Sequence, residues 1–145
     1  MAGKKSAEIA TLIRVQSWSV DEERRMLGQM QDREAALLED RDRMDKELLA
    51  EQAVAAASPT MAGHSYAAYA WNYKQRRANL ESVIAAVRVE IEQQRDRLAD
   101  AYRELKVLEE VRENWLEKER IEEARLEQIA LDEIAQNLYQ REHRV

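Results

Sequence analysis

Ser58-Pro59-Thr60-Met61-Ala62-Gly63-His64-Ser65 interrupts a chain that is otherwise written almost wholly in helix-forming residues. Pro59 has no N–H to give to a helix and pushes Ser58 out of helical geometry. Gly63 permits positive φ, and the Ser65 hydroxyl can cap a new helix. The stretch predicts a loop over 58–65, with helices over about 6–57 and about 66–140 on either side. A connection this short sets neighbouring helices antiparallel. The expected fold is all-α: a long antiparallel two-helix coiled coil, or α-hairpin, with an extended C-terminal helix. It is read as a single coiled-coil domain over 1–145.

Composition points the same way. Ala, Glu, Lys, Leu and Arg account for 80 of the 145 residues, above the roughly one half that marks long helices and coiled coils. These side chains lose little rotamer freedom on a helix. Phe is absent, Pro occurs once and Gly three times, which leaves little from which to build strands and turns.

On the first arm a heptad seam runs Ile9, Ile13, Gln16, Val20, Glu23, Leu27, Met30, Glu34, Leu37, Arg41, Met44, Leu48, Glu51, Ala55. The second arm carries Tyr66, Ala70, Tyr73, Arg77, Leu80, Ile84, Val87, Ile91, Gln94, Leu98, Ala101, Leu105, Leu108, Arg112, Trp115. Spacings of three and four alternate, and their average of about 3.5 is the left-handed coiled-coil period. Glu23, Glu34 and Arg41 interrupt the seam and are expected to reach sideways into water, with their stems along the interface.

The arms are unequal. With the turn centred near Met61, residue i lies roughly opposite residue 122 − i. Ile9 then faces the region of Glu113, and everything from about Asn114 onward projects past the first helix. A wholly helical overhang of this length would reach about 45 Å. It carries Leu116, Leu126, Ile129, Leu131, Ile134 and Leu138, and apolar side chains on an unpaired helix imply a partner. The competing reading is a frayed, charged tail.

Charge and chemistry exclude several classes. The 23 basic and 29 acidic residues are interleaved, giving a net charge of −6 and no basic stripe, so nucleic acid is not an expected partner. Cysteine is absent, which fits a reducing compartment. No secretory signal is visible, and the most apolar stretch, Ala53 to Ala57, is too short to form a transmembrane segment. The three glycines stand apart and form no phosphate loop, and the two histidines, His64 and His143, are too distant in sequence for a helical metal pair. Two paired helices offer a ridge instead of a concave pocket. The chain is read as a non-enzyme with no cofactor and no catalytic or metal residues. Tyr66, Tyr69, Trp71 and Tyr73 cluster after the break. The tyrosines are expected to pack the closed end, and Trp71, turned away from the seam, is the better exposed anchor.

With these features in place, the sequence resembles the FliJ family of the bacterial flagellar type III export apparatus. The strongest similarity is Glu123-Ala124-Arg125-Leu126-Glu127-Gln128-Ile129-Ala130-Leu131-Asp132-Glu133-Ile134-Ala135-Gln136. Met26-Leu27-Gly28-Gln29-Met30 matches on the first arm, and Asn72-Tyr73 followed by Leu80-Glu81 and Ile84 matches on the second. The three segments follow the family's order along nearly the whole chain.

The resemblance implies a stalk like that of rotary ATPases, acting in protein transport for flagellum biogenesis, motility and chemotaxis. Family members engage the ring of the export ATPase FliI, contact the export gate protein FlhA and bind empty export chaperones, while hydrolysing nothing themselves. The implied ATPase-binding positions are Ile9, Leu12 and Ile13 with Arg125, Leu126, Ile129, Asp132, Glu133 and Gln136. The implied gate-binding positions are Met44, Leu80, Val83 and Val87. Glu47, Glu51 and Arg76 are charged where the family pattern has aromatic residues, and Leu80 and Val87 also fall on the seam. The implied location is the cytoplasm, peripheral to the inner membrane, with a monomer as the free state. Two other readings stay open: the equivalent stalk of a virulence type III secretion system, and a self-associating structural coiled-coil protein.

Overall fold

A computed structural model describes residues 2–144, with the side chains of 3–58 and 65–144. It contains two helices, α1 (Ala2–Ala57) and α2 (Pro59–Glu142), packed against each other as a hairpin. Among the described residues there is no strand.

The break is narrower than the sequence suggests. Ser58 alone separates the two helices, and the segment expected as loop over 59–65 forms the first turns of α2. Pro59 sits at the first helical position, where its missing N–H is not needed and its fixed φ suits the helix. Ser58 thereby takes the N-cap position expected of Ser65, and Gly63 is absorbed as an ordinary helical residue. α1 also begins earlier than expected, at Ala2 instead of about residue 6.

The chain divides into two compact units, Met1–Val20 with Ala101–Val145, and Asp21–Asp100. In the second unit, Ile84, Val87, Ile91 and Gln94 are buried. These are four consecutive positions of the second heptad seam, and on α1 the half-buried Leu27, Met30, Leu37, Met44 and Leu48 continue the pattern. Ile84 is 1% exposed; burying such a side chain contributes about 1.5–3 kcal/mol. In the first unit the buried residues are Val20 and Ala101. Gln16 donates from Nε2 to the Ala101 carbonyl oxygen at 2.8 Å.

Six of the polar seam positions, Gln16, Glu23, Glu34, Arg41, Arg77 and Gln94, are half-buried or buried, whereas Glu51 and Arg112 are exposed. Gln94 donates to both the carbonyl and the carboxylate of Glu23. Arg88 lies 3.7 Å from Glu34, and Arg41 pairs with Glu81 at 3.3 Å. The expectation that Glu23, Glu34 and Arg41 splay into water is therefore corrected. Each has a complementary group across the interface, and a paired charge keeps less solvent than a free one needs. Nearest the break, Arg77 bridges Asp45, at 3.1 Å from Nε, and Glu81, while the Tyr73 hydroxyl donates to Asp45. Tyr73 holds the Asp45 carboxyl below its ordinary range, with the Arg77 guanidinium adding to the effect. Arg77 likewise depresses Glu81, and Tyr73 is pushed up because it donates to a carboxylate.

Candidate functional site

α2 leaves the helix pair only after Trp115. That indole is half-buried, with Lys5 Nζ of α1 lying 4.6 Å from the ring centroid and Lys118 Nζ at 5.4 Å. Glu119 is the last half-buried residue, and every residue from Arg120 to Arg144 is exposed. The extension therefore starts about six residues later than the arm-length comparison placed it, and the start of α1 at Ala2 instead of about residue 6 accounts for about one turn of that shift. It remains helical to Glu142 and spans about 34 Å. The tail does not fray at Asn114.

Local chemistry sustains this unpacked helix. Arg125 makes a two-pronged contact with Glu122, at 3.1 Å from Nε and 2.7 Å from its terminal nitrogen. Arg125 holds the Glu122 carboxyl below its ordinary range. Arg120 pairs with Glu117, and Gln128 donates to Asp132 at 3.0 Å. All are one helical turn apart, the spacing at which side chains meet on a helix surface. At the end, the Tyr139 and His143 rings stack at 4.1 Å, and the His143 N–H bonds the Tyr139 carbonyl.

The family-derived positions on the extension share one side of the helix. Arg125, Ile129, Asp132 and Gln136 are spaced by four, three and four, with Leu126 and Glu133 beside them at a spacing of seven. Leu126 is 53% and Ile129 43% exposed, so neither contributes to the interhelical core. At the start of α1, Leu12 is exposed while Ile9 and Ile13 are half-buried toward α2. Ile13 borders a shallow groove with Glu109, Arg112, Glu113 and Leu116. The surface thus combines isolated apolar side chains with charges of both signs. Its chemistry suits protein contact.

The four gate positions separate. Val83 is exposed, Met44 and Leu80 are half-buried, and Val87 lies in the interhelical core. Packing accounts for Val87. Trp71 is exposed as expected, whereas Tyr66, Tyr69 and Tyr73 are half-buried; the Tyr69 and Tyr73 rings lie 6.5 Å apart. Sequence reasoning assigned no role to the exposed Trp18 or Tyr139, and it counted Leu131, Ile134 and Leu138 among the partner-seeking apolar residues of the extension without separating them as a second face. Their spacing of three and four residues was the available signal for that face.

Among the described residues, no helix is long and apolar enough to cross a membrane, and no three His, Asp or Glu side chains gather as a metal site. No curated protein and no solved structure shows a significant match to the chain. Residues 5–144 match the family described as Flagellar FliJ protein. The paired heptad helices and this nearly full-length match agree, and the chain belongs to the FliJ family, a non-catalytic component of flagellar type III protein export.

Proposed function

We propose that this chain is the stalk of the flagellar export ATPase, docking its helical extension into the ring formed by FliI. The observation that carries the reading is the extension itself. From Arg120 onward α2 presents apolar side chains with no intramolecular partner, interspersed with charge of both signs. A helix of this kind makes many modest contacts, and rim charge acts on association rate and specificity more than on affinity. Arg125, Leu126, Ile129, Asp132, Glu133 and Gln136 form the docking face, supported by Ile9, Leu12 and Ile13 at the adjoining start of α1.

The helix pair nearer the break would contact the export gate FlhA through Val83, with Met44 and Leu80 at the margin of the contact. Export chaperones are the third partner class, and the site of work is the cytoplasmic side of the inner membrane. The protein itself hydrolyses nothing in this scheme. The family match favours the flagellar system over a virulence-type stalk.

The test is co-purification with the cognate export ATPase of the full chain and of a truncation ending at Glu119, the last half-buried residue of α2. Retention of the full chain and loss of the truncation support the assignment. Equal retention of both sinks it.

A further inference from the structure

The extension has a second face that the ATPase reading leaves unused. Glu123, Glu127, Leu131, Ile134, Leu138 and Arg141 follow one another at spacings of four, four, three, four and three. The first and last are separated by 18 residues, five turns of helix, so all six lie along one stripe. All are exposed, with Leu131, Ile134 and Leu138 at 55–60%. The stripe faces away from Ile129, while Leu126, three residues after Glu123, flanks its acidic edge. Its charge is ordered: acid at the start, apolar in the middle, base at the end. Among the described residues none of its three charged side chains is held in an ion pair, unlike Arg120 and Arg125 on the same helix.

This order is self-complementary in one orientation only. Two copies laid antiparallel place Leu131 of one beside Ile134 of the other and Glu127 beside Leu138. The carboxylates of Glu123 and Glu127 then approach the partner's Arg141, at both ends, by two-fold symmetry. A parallel arrangement stacks like charges instead. We propose that the C-terminal extensions of two copies of this chain pair antiparallel through this stripe, forming a weak, reversible dimer. Only a short helix pair is buried, and its apolar core is three residues per copy, well below what a tight homodimer uses. Ile129 stays free in the dimer, and Leu126 lies at its margin. Arg141 also lies in the last turn of α2, where the helix dipole favours a cation, so the test must separate the two roles.

The chain has no cysteine, which makes disulfide trapping clean. Full-length Glu127→Cys and Leu138→Cys proteins are mixed in a glutathione redox buffer and allowed to equilibrate. Antiparallel pairing predicts that the mixed disulfide exceeds its statistical share several-fold. A statistical mixture, or a preference for either self-disulfide, overturns the proposal. The second arm uses sedimentation equilibrium at high concentration. Glu123→Lys with Glu127→Lys should weaken the dimer about tenfold, since each like-charge contact occurs twice by symmetry. Adding Arg141→Glu should restore it. Failure of restoration while helicity is unchanged assigns Arg141 to the helix dipole alone and also contradicts the pairing.

Discussion

Gln94 donates from Nε2 to the main-chain carbonyl of Glu23 at 3.0 Å, from a position with no solvent exposure. A second bond reaches the Glu23 carboxylate, yet Gln94 Oε1 is buried without a partner. A polar side chain at a seam position costs stability and fixes register. A slip of one heptad would set Gln94 against Gln16 or Met30 in place of Glu23. Gln16, bonded to the Ala101 carbonyl, makes a similar link in its own unit.

Gln94→Leu should therefore stabilise the helix pair by about 1 kcal/mol, because it removes an unsatisfied oxygen and adds apolar burial. Glu23 can turn its carboxylate to water. Gln94→Ala should instead cost about 2 kcal/mol through the cavity it leaves. Urea unfolding followed by circular dichroism measures both. Equal destabilisation by the two variants would show that the hydrogen bond outweighs its burial cost.

Adjacent residues on α2 should respond very differently to truncation. Ile84→Ala removes a side chain 1% exposed and should cost about 2–4 kcal/mol. Val83→Ala, on the exposed side, should stay within about 0.5 kcal/mol of the native chain. Similar losses at both positions would place the seam on the wrong face of α2.

The Asp45–Tyr73–Arg77–Glu81 cluster makes stability depend on acid. Asp45 and Glu81 both titrate below their ordinary values of 3.8 and 4.5. A depressed carboxyl stabilises the fold above its unfolded value, and that contribution is lost as pH falls through the folded value. Tyr73 is raised from 10.0, so its contribution is present below that value and lost as pH rises further. Thermal melts between about pH 6 and pH 3 should show a falling midpoint, with a shallower fall in the Asp45→Asn, Glu81→Gln double variant. The effect is small, because these groups are solvent-screened. Parallel slopes in the two proteins would remove the cluster from the account.

The seam was legible from residue spacing because burial follows helical period. Ile84, Val87, Ile91 and Gln94 are buried where the heptad sets them. The fate of Glu34 and Arg41 was not legible, since a charge at a seam position splays or pairs according to what stands opposite. That depends on interhelical register, which is fixed jointly by many contacts. The break misled for a similar reason. Pro59 forbids a helix before it but starts one readily, so one residue, Ser58, is enough to separate the helices. The extension was legible in kind, and its boundary shifted in part because α1 begins at Ala2. Its second face was visible as spacing alone, but a stripe becomes informative only once its residues are known to be uncovered.

Val83→Asp should leave the hairpin folded and reduce capture by the cytoplasmic domain of the export gate. Val83 is exposed and its loss removes no core packing. Val87→Asp should unfold the local helix pair, since Val87 is 2% exposed. A pulldown paired with circular dichroism distinguishes them. Undiminished gate binding by folded Val83→Asp would move the contact elsewhere.

The central claim is that the exposed face of the extension docks to the ATPase. It is tested most directly by the affinity of the Leu126→Asp, Ile129→Asp double variant for the assembled export ATPase, measured beside its helicity. The account predicts at least about tenfold weaker binding with helicity unchanged, since both side chains lie outside the core. Native affinity in the folded variant would contradict it.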